Sequence, residues 1–134
     1  MVNSQYKFRA WDEKNKRMFN VARFDFADHT VYSHLFACEG YLAENLKIMQ
    51  YTGLKDKNGK KIYEGDIIST DLSRPYLVVE FRNGAFMFHC HDEGKDYYDY
   101  INPPADDEIN QYHWGEVIGN IYENPELIPE VRHA

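Results

Sequence analysis

Potential metal ligands lie close together in the stretch His89-Cys90-His91-Asp92. In an extended strand, His89 and His91 share one face while Cys90 points to the other, so at most two of these three side chains can serve one ion. His113 or an acidic loop residue would have to complete the site. Structural zinc uses four ligands with paired spacings, which are absent here. We therefore expect no metal and no cofactor, and interpret the stretch as two partly exposed histidines flanking a buried cysteine.

Carboxylates after this stretch raise the alternative of general acid–base catalysis, which needs two carboxyl groups whose surroundings separate their pKa values. The candidates are Asp92, Glu93, Asp96, Asp99, Asp106, Asp107 and Glu108. They lie in loop-like sequence without an apolar pocket signal, so we interpret them as a solvated acidic rim. Neither a GxSxG elbow nor a glycine-rich phosphate loop occurs in the sequence. The pattern therefore predicts that the protein is not an enzyme.

Two groups of cationic residues favour a different class, a nucleic-acid-binding accessory factor. The first group is Lys7, Arg9, Lys14, Lys16 and Arg17, with Trp11 among them, and the second is Lys55, Lys57, Lys60 and Lys61. If both groups lie on one side of the fold, they contact phosphates while Trp11 or Tyr51 stacks on a base. The simpler interpretation, which we favour, is solvated hairpin tips near core aromatics. Nucleic-acid binding is kept as the alternative function.

The charges are distributed unevenly along the 134 residues. Residues 1–61 carry 11 Lys and Arg against 7 Asp and Glu, a net charge of +4, whereas residues 62–134 carry 4 against 15, a net charge of −11. The acidic half repels a phosphate backbone, which disfavours a general grip on nucleic acid by that half. Two interpretations stay open: a molecule that associates through unlike faces, as a homo-oligomer or with a charged partner, and two separately solvated surfaces.

Cysteine usage and hydropathy indicate the compartment. Cys38 and Cys90 are the only cysteines, they lack metal-type spacing, and the polar first residues do not resemble a signal peptide. No apolar run approaches the about 20 residues that a membrane helix needs. We therefore expect a reduced, cytoplasmic protein without a membrane segment.

Turn-forming dipeptides organise the elements that position these residues. Asn58-Gly59 lies between apolar runs within residues 49–68, and Asn83-Gly84 lies between two β-prone runs, so each predicts a hairpin. Alternating residues predict a meander over the first forty residues, with a left-handed turn residue at Asn15. Between residues 38 and 49 the pattern permits one turn of helix at most before a strand. Near the end, Asn124 is expected to cap a single helical turn.

The predicted fold class is mainly β with minor α. Residues 1–64 are expected to form an N-terminal hairpin and meander subdomain. Residues 65–134 contain five short strands with tight turns, which predict a small SH3-like β-barrel. Closure of a barrel would remove the exposed edges of strands rich in Val, Ile and aromatic residues. We expect the two subdomains to share one core.

Three blocks of the sequence resemble the signature of the YopX family of phage and prophage proteins. They are residues 7–12 with Asn15, Lys16 and Met18, then residues 49–67, then residues 117–127. The blocks occur in the family's order and cover nearly the whole chain, while residues 24–46 and 70–112 depart from the pattern. The resemblance implies a small intracellular protein of phage or prophage origin and mainly β structure. It implies no reaction, cofactor or substrate.

Most residues of these blocks are turn formers and strand aromatics, which is typical of fold determinants. Arg9, Trp11, Asp12 and Glu64 are exceptions, since their polar groups are suited to a buried network between the first hairpin and the central one. The candidate residues for such a network or for an interaction surface are Arg9, Trp11, Asp12, Tyr51, Lys57 and Glu64. We expect a non-enzymatic interaction module that binds a host or phage protein.

Overall fold

The computed structural model describes residues 7–34, 40–70, 73–101 and 115–128. These residues form mainly antiparallel β structure with two short 3₁₀ turns, as the sequence predicts. The chain divides into two compact units, Met1–Tyr51 and Thr52–Ala134. The boundary expected from the sequence, between residues 64 and 65, lies further along the chain. No helix in the described ranges has the length and apolar character needed to span a bilayer.

The first unit is a meander, which confirms the sequence prediction. Its elements are β1 (Phe8–Asp12), β2 (Arg17–Asp25), β3 (Thr30–Ser33), β4 (Gly40–Leu42), a 3₁₀ turn (Ala43–Asn45) and the start of β5 (Leu46–Lys55). The strand order is β4-β3-β2-β1-β5, so β1 lies between its hairpin partner β2 and the later strand β5. The single helical turn before β5 is confirmed as well.

The core of the first unit takes one apolar residue from each of four strands. Ala10, Phe19, Val31 and Leu46 are buried together, because alternate residues of a strand point to the same face. The left-handed residue of the β1–β2 turn is Lys16, with a φ of 52°, and the prediction of Asn15 is wrong by one position. Asn15 instead donates from Nδ2 to Asp12 Oδ2 at 2.7 Å, which fixes the turn through its side chain.

The second unit contains the end of β5 and the remaining strands. These are β6 (Lys61–Tyr63), β7 (Asp66–Thr70), β8 (Ser73–Arg82), β9 (Ala85–Asp92), β10 (Lys95–Tyr100) and β11 (Gly115–Asn120), followed by a 3₁₀ turn (Pro125–Leu127). Strand β6 pairs with β5, and the other five form an antiparallel sheet in the order β10-β9-β8-β7-β11. The hairpins at Asn58-Gly59 and Asn83-Gly84 are confirmed.

Strands β7 and β8 are apolar on both faces. Ile68 and Val79 join the core that includes Phe88, Leu54 and Ile62. The adjacent residues Ile67 and Val78 point to the opposite face and pack there with Ile128. The sheet therefore carries a buried layer on each side at its centre.

The closed SH3-like barrel predicted for residues 65–134 is wrong for the described strands. The five-stranded sheet is open, with β10 and β11 at its two edges. The physical reason is the double burial of β7 and β8, since a small barrel encloses only one face of its strands. Neighbouring apolar residues such as Ile67 and Ile68 each need a separate cover, which an open sheet between two layers provides.

Candidate functional site

Two histidines and two carboxylates converge on three neighbouring strands of the second unit. His89 and His91 lie on β9, Glu80 on β8 and Asp96 on β10. The His89 ring places Nδ1 2.6 Å from Glu80 Oε2 and Nε2 2.8 Å from Asp96 Oδ1. His91 Nδ1 lies 2.8 Å from the same Asp96 oxygen. We call these four residues the histidine cluster.

A tight turn between β9 and β10 sets the geometry of the histidine cluster. Glu93 and Gly94 have positive φ values of 51° and 77°, which suits a two-residue hairpin. The resulting register places Asp96 opposite His91, and Tyr98 opposite His89. Since residues that oppose each other across two strands share a face, the hairpin collects these side chains on one side of the sheet.

His89 is the buried centre of the histidine cluster, with 4% of its surface exposed. Its two ring nitrogens both face carboxylate oxygens, and only the doubly protonated imidazolium can donate from both. The ring also stacks on Tyr98 at a centroid distance of 4.5 Å. Arg82 lies over the Tyr98 ring, 4.2 Å from its centroid. The cluster thus fastens β10 to β9 and β8 through hydrogen bonds and ring contacts.

Asp96 connects both histidines. The hydrogen bond from His91, and then the one from His89, hold the pKa of the Asp96 carboxyl below its ordinary value. In the part of the chain that the structure describes, His91 contacts Asp96 through Nδ1 only. The shared aspartate orders the hairpin.

The structure corrects the expected burial of the His89-Cys90-His91 stretch. The histidines share a face, as predicted, but His89 is buried rather than partly exposed, because Glu80 and Asp96 satisfy its ring. Cys90 is a free thiol and only half-buried, with its pKa raised by desolvation and then by the charge of Asp92. His113 and Cys38 lie outside the described residues. Among those described, no group of three or more ligands is suited to a metal ion.

Strand β10 is exposed along its whole length. All six residues, Lys95–Tyr100, are exposed, although the strand belongs to the sheet. Tyr97 and Tyr100 expose 53% and 61% of their surfaces, and Phe81 on β8 exposes 52%. Aromatic side chains with this much exposure are uncommon on a strand and typical of contact surfaces.

Two of the predicted site residues, Trp11 and Asp12, lie at the end of β1. Trp11 is buried, and its Nε1 donates to Glu13 Oε2 at 2.5 Å. Asp12 is buried too and accepts hydrogen bonds from the turn residues Lys14 and Asn15. The hydrogen bond from the Asn15 side chain is the main cause that lowers the pKa of Asp12. These two residues therefore stabilise their own hairpin.

The remaining candidates divide between the units. Arg9 is half-buried on β1 and Tyr51 is buried on β5, whereas Glu64 is half-buried in the turn before β7. Lys57 is exposed, and its backbone amide donates to the Gly115 carbonyl at 3.0 Å. The network expected between Arg9 and Glu64 would link the two units and stays a prediction.

A residue that the sequence did not single out, Asp56, is one of two equally buried carboxylates of the central block, the other being Asp66. Only 1% of Asp56 is exposed. Its Oδ1 accepts the amides of Asn58 and Lys60 at 2.9 Å each, and its Oδ2 accepts the amide of Val117 on β11 at 2.8 Å. This carboxylate fastens the Asn58-Gly59 turn to the last strand.

The second and third signature blocks meet at further backbone contacts. Gly65, with a φ of 84°, donates to the Val79 carbonyl and accepts from the Ile121 amide. Asn124 Oδ1 accepts from the Asn120 amide at 3.1 Å. Asn124 occupies the N-cap position of the following turn, as predicted, but its side chain makes no capping hydrogen bond and accepts from the preceding Asn120 amide instead. These contacts support the interpretation of the blocks as fold determinants.

Sequence reasoning missed the histidine cluster and Asp56 for different reasons. The Glu93-Gly94 dipeptide is a turn signal, and a two-residue hairpin there would have placed Asp96 opposite His91. The same reasoning would not have found Glu80, which lies on a third strand. Asp56 stands two residues before Asn58, a spacing at which aspartate commonly bonds to the turn backbone. Its bond to Val117 carries no local signal.

The fold and the arrangement of the blocks define a mainly β protein whose central and final blocks are joined in one unit. The model of the family described as YopX protein matches residues 7–129, so the chain belongs to the YopX family.

Solved structures that are similar to the chain include the following two. The crystal structure of protein EF1440 from Enterococcus faecalis has a TM-score of 0.54 and 29% identity, covering 91% of this chain and 96% of that one. The crystal structure of protein yopX from Bacillus subtilis has a TM-score of 0.55 and 19% identity, covering 92% of this chain and 98% of that one. The second likeness shows the fold alone. No curated protein matches the chain.

Proposed function

We propose that this protein is a non-enzymatic interaction module whose contact surface is strand β10. The observation that carries the proposal is the exposure of Tyr97, Tyr98 and Tyr100 on a strand at the edge of the sheet. Exposed aromatic rings supply contact area at low entropic cost, and an edge strand offers backbone groups to a further strand. Both features belong to one hairpin.

The histidine cluster supports a positioning role over a catalytic one. Both nitrogens of His89 are engaged by Glu80 and Asp96, so this buried ring has no atom left for a substrate. His91 is bound to Asp96 through Nδ1. The cluster instead holds β10 against β9 and presents the aromatic edge in one conformation. A pre-ordered surface loses less entropy on binding.

The resemblance to the family supports a proposed setting for the module. The resemblance of the signature blocks favours a protein of phage or prophage origin that works in the cytoplasm of the host cell. Its partner is then a host or phage protein, or another copy of the chain. These elements belong to the proposal.

A photo-crosslinking amino acid at position 97 tests the proposal in bacterial cells that produce the full chain. We expect a covalent adduct at Tyr97 and none with the same amino acid at Phe26, which exposes 77% of its surface in the first unit. Because both sites are exposed aromatic residues, a difference in crosslinking between them reflects their position in the fold and not their exposure. Equal labelling from both sites, or no adduct from Tyr97, would reject β10 as the contact surface.

The nucleic-acid alternative is supported by the exposed lysines Lys55, Lys57 and Lys60 around the central turn. The expected stacking of a base on Trp11 or Tyr51 counts against this alternative, because each of these side chains exposes only 4% of its surface. If this alternative holds, Lys57→Glu should reduce a salt-dependent mobility shift of single-stranded DNA or RNA. The absence of any shift at low salt would remove it.

A further inference from the structure

The hairpin geometry determines which backbone groups of β10 face outward. In a two-residue hairpin, the residues that flank the turn exchange backbone hydrogen bonds, and this pattern recurs at every second pair. Here the flanking pair is Asp92 and Lys95. Lys95, Tyr97 and Asp99 therefore bond towards β9, and the groups of Asp96 and Tyr98 point away from the sheet.

An independent contact supports this assignment. The Tyr100 amide, which the same alternation directs outward, donates to the side chain of Asp99 at 2.9 Å rather than to β9. The next amide, of Ile101, donates to the Phe86 carbonyl on β9. Inward and outward groups thus alternate along β10 as expected. Among the described strands, none pairs with this side of β10, which leaves the outward amides and carbonyls of Asp96 and Tyr98 to an incoming strand.

An added antiparallel strand must oppose outward groups with outward groups, which leaves few registers for a second β10. With Asp96 opposite Tyr98 of the second copy, Tyr97 opposes Tyr97 and Lys95 opposes Asp99. Because the pairing is twofold symmetric, the opposite charges meet twice. Opposite charges and paired aromatics directly across two strands both stabilise a sheet.

The two neighbouring registers pair the charges of the two strands less favourably. Shifting the pairing one way places Asp96 opposite Asp96, which brings like charges together. Shifting it the other way places Asp99 opposite Tyr97 and leaves Lys95 opposite the apolar Ile101. The charge pattern of this edge strand therefore matches itself in one alignment, whereas a strand protected against association carries charges that repel an incoming copy.

We propose that β10 pairs with β10 of a second copy of this chain, antiparallel, with Asp96 opposite Tyr98. This inference rests on the proposed function and names the partner at the same surface. A six-residue edge contact is small, below the roughly 1,200 Å² of standard interfaces, so the dimer is expected to be weak and reversible. The proposal is supported by one alignment of two β10 strands, in which Lys95 faces Asp99 and Tyr97 faces Tyr97.

Charge reversal provides the test, read by sedimentation equilibrium of the full chain up to the highest soluble concentration. Lys95→Glu and Asp99→Lys should each weaken self-association about tenfold, since each brings two pairs of like charges together. An equimolar mixture of the two variants should form a heterodimer, because the introduced glutamate of one variant then meets the introduced lysine of the other. Lys60→Glu makes the same charge change at an exposed site outside β10 and should leave association unchanged.

The outcomes separate this inference from the proposed function. A wild-type chain that stays monomeric, or a variant mixture that does not associate, overturns pairing through β10. If Tyr97 then crosslinks to a different protein, the interaction surface stands and the occupant is not a second copy. If Tyr97 gives no adduct and the chain is monomeric, both proposals fail. Restored association in the mixture, together with an adduct of twice the chain mass, supports both.

Discussion

Two aspartates of the second unit accept hydrogen bonds from different kinds of donor. Asp56 is buried and receives three backbone amides, one of which belongs to a distant strand. Asp96 lies on an exposed edge strand and forms hydrogen bonds with the rings of two histidines. Backbone amides are always present and always neutral, whereas a histidine can gain or lose a proton.

The comparison separates the part of the unit that specifies the fold from the part whose hydrogen bonds depend on histidine side chains. Asp56 lies in the central of the three blocks that resemble the family signature, and its bond to Val117 joins that block to the final one. Asp96 lies on β10, beside the exposed tyrosines. The Asp56 contacts therefore hold the sheet together, whereas the β9–β10 hairpin carries the exposed tyrosines.

The strongest test of the comparison is Asp56→Ala. Removing the carboxylate leaves buried amides of Asn58, Lys60 and Val117 without their acceptor, so the free energy of unfolding should fall by about 3 kcal/mol or more. Urea unfolding followed by circular dichroism measures the loss. Asp92→Ala, at an exposed aspartate, should change stability by no more than about 0.5 kcal/mol. Equal effects of the two substitutions would contradict the assigned role.

His89→Ala is expected to have the next largest effect. It removes a buried ring and its bonds to Glu80 and Asp96, and should lower the free energy of unfolding by about 2 kcal/mol, since both carboxylates can regain water. His91→Ala, at a more exposed ring, should have a smaller effect. Hydrogen exchange of the β10 amides should rise with His89→Ala. Unchanged exchange there would show that the histidine cluster does not hold the hairpin.

Gly119→Ala probes the turn that follows β11. An added Cβ would meet the side chain of Asn124, lying 2.7 Å from its Cγ, and would displace the acceptor of the Asn120 amide. We expect a loss of about 1 kcal/mol in stability. In an Asn124→Ala background the same substitution should have a smaller further effect, because only the Cβ of residue 124, at 3.0 Å, remains close to the added methyl group. Additive losses in this double-mutant cycle would rule out the clash as the cause.

The smallest expected effect is the pH dependence of the Asp96 contacts. Because the folded pKa of Asp96 is lowered from 3.8, its stabilisation is complete above that value and is lost as the pH falls through the folded pKa. An NMR titration of the Asp96 carboxyl measures this directly. His91→Ala should raise the pKa more than His89→Ala, following the order of their contributions. If neither substitution changed the titration midpoint of Asp96, the contacts between Asp96 and the two histidines would be contradicted.

The predictable part of the fold is local. Strands end at Asn83-Gly84 and before Gly65, where these residues adopt positive φ, and alternation correctly predicted the meander of the first unit. Even so, positive φ at the central turn belongs to Gly59 and not to Asn58. The buried Asp56 carboxylate, which binds the turn amides, accounts for that difference.

The non-local part was not predictable from one sequence. Whether five strands close or stay open depends on what covers Ile67 and Ile68, and the covering residues come from separate parts of the chain. His89 was expected to be partly exposed because histidines usually are, and its burial requires Glu80 from one strand and Asp96 from another. Side chains that converge from three strands produce no periodic pattern in the sequence by which they could be recognised.

The bond from Asp56 to Val117 has a consequence for synthesis on the ribosome. Its two ends are 61 residues apart, so a nascent chain that has emerged only as far as β10 has its central turn but lacks the amide that completes it. Contacts between such distant residues form late and slowly. The open sheet must therefore wait for translation of its last strand, and during that interval β7 lacks one of its two neighbours.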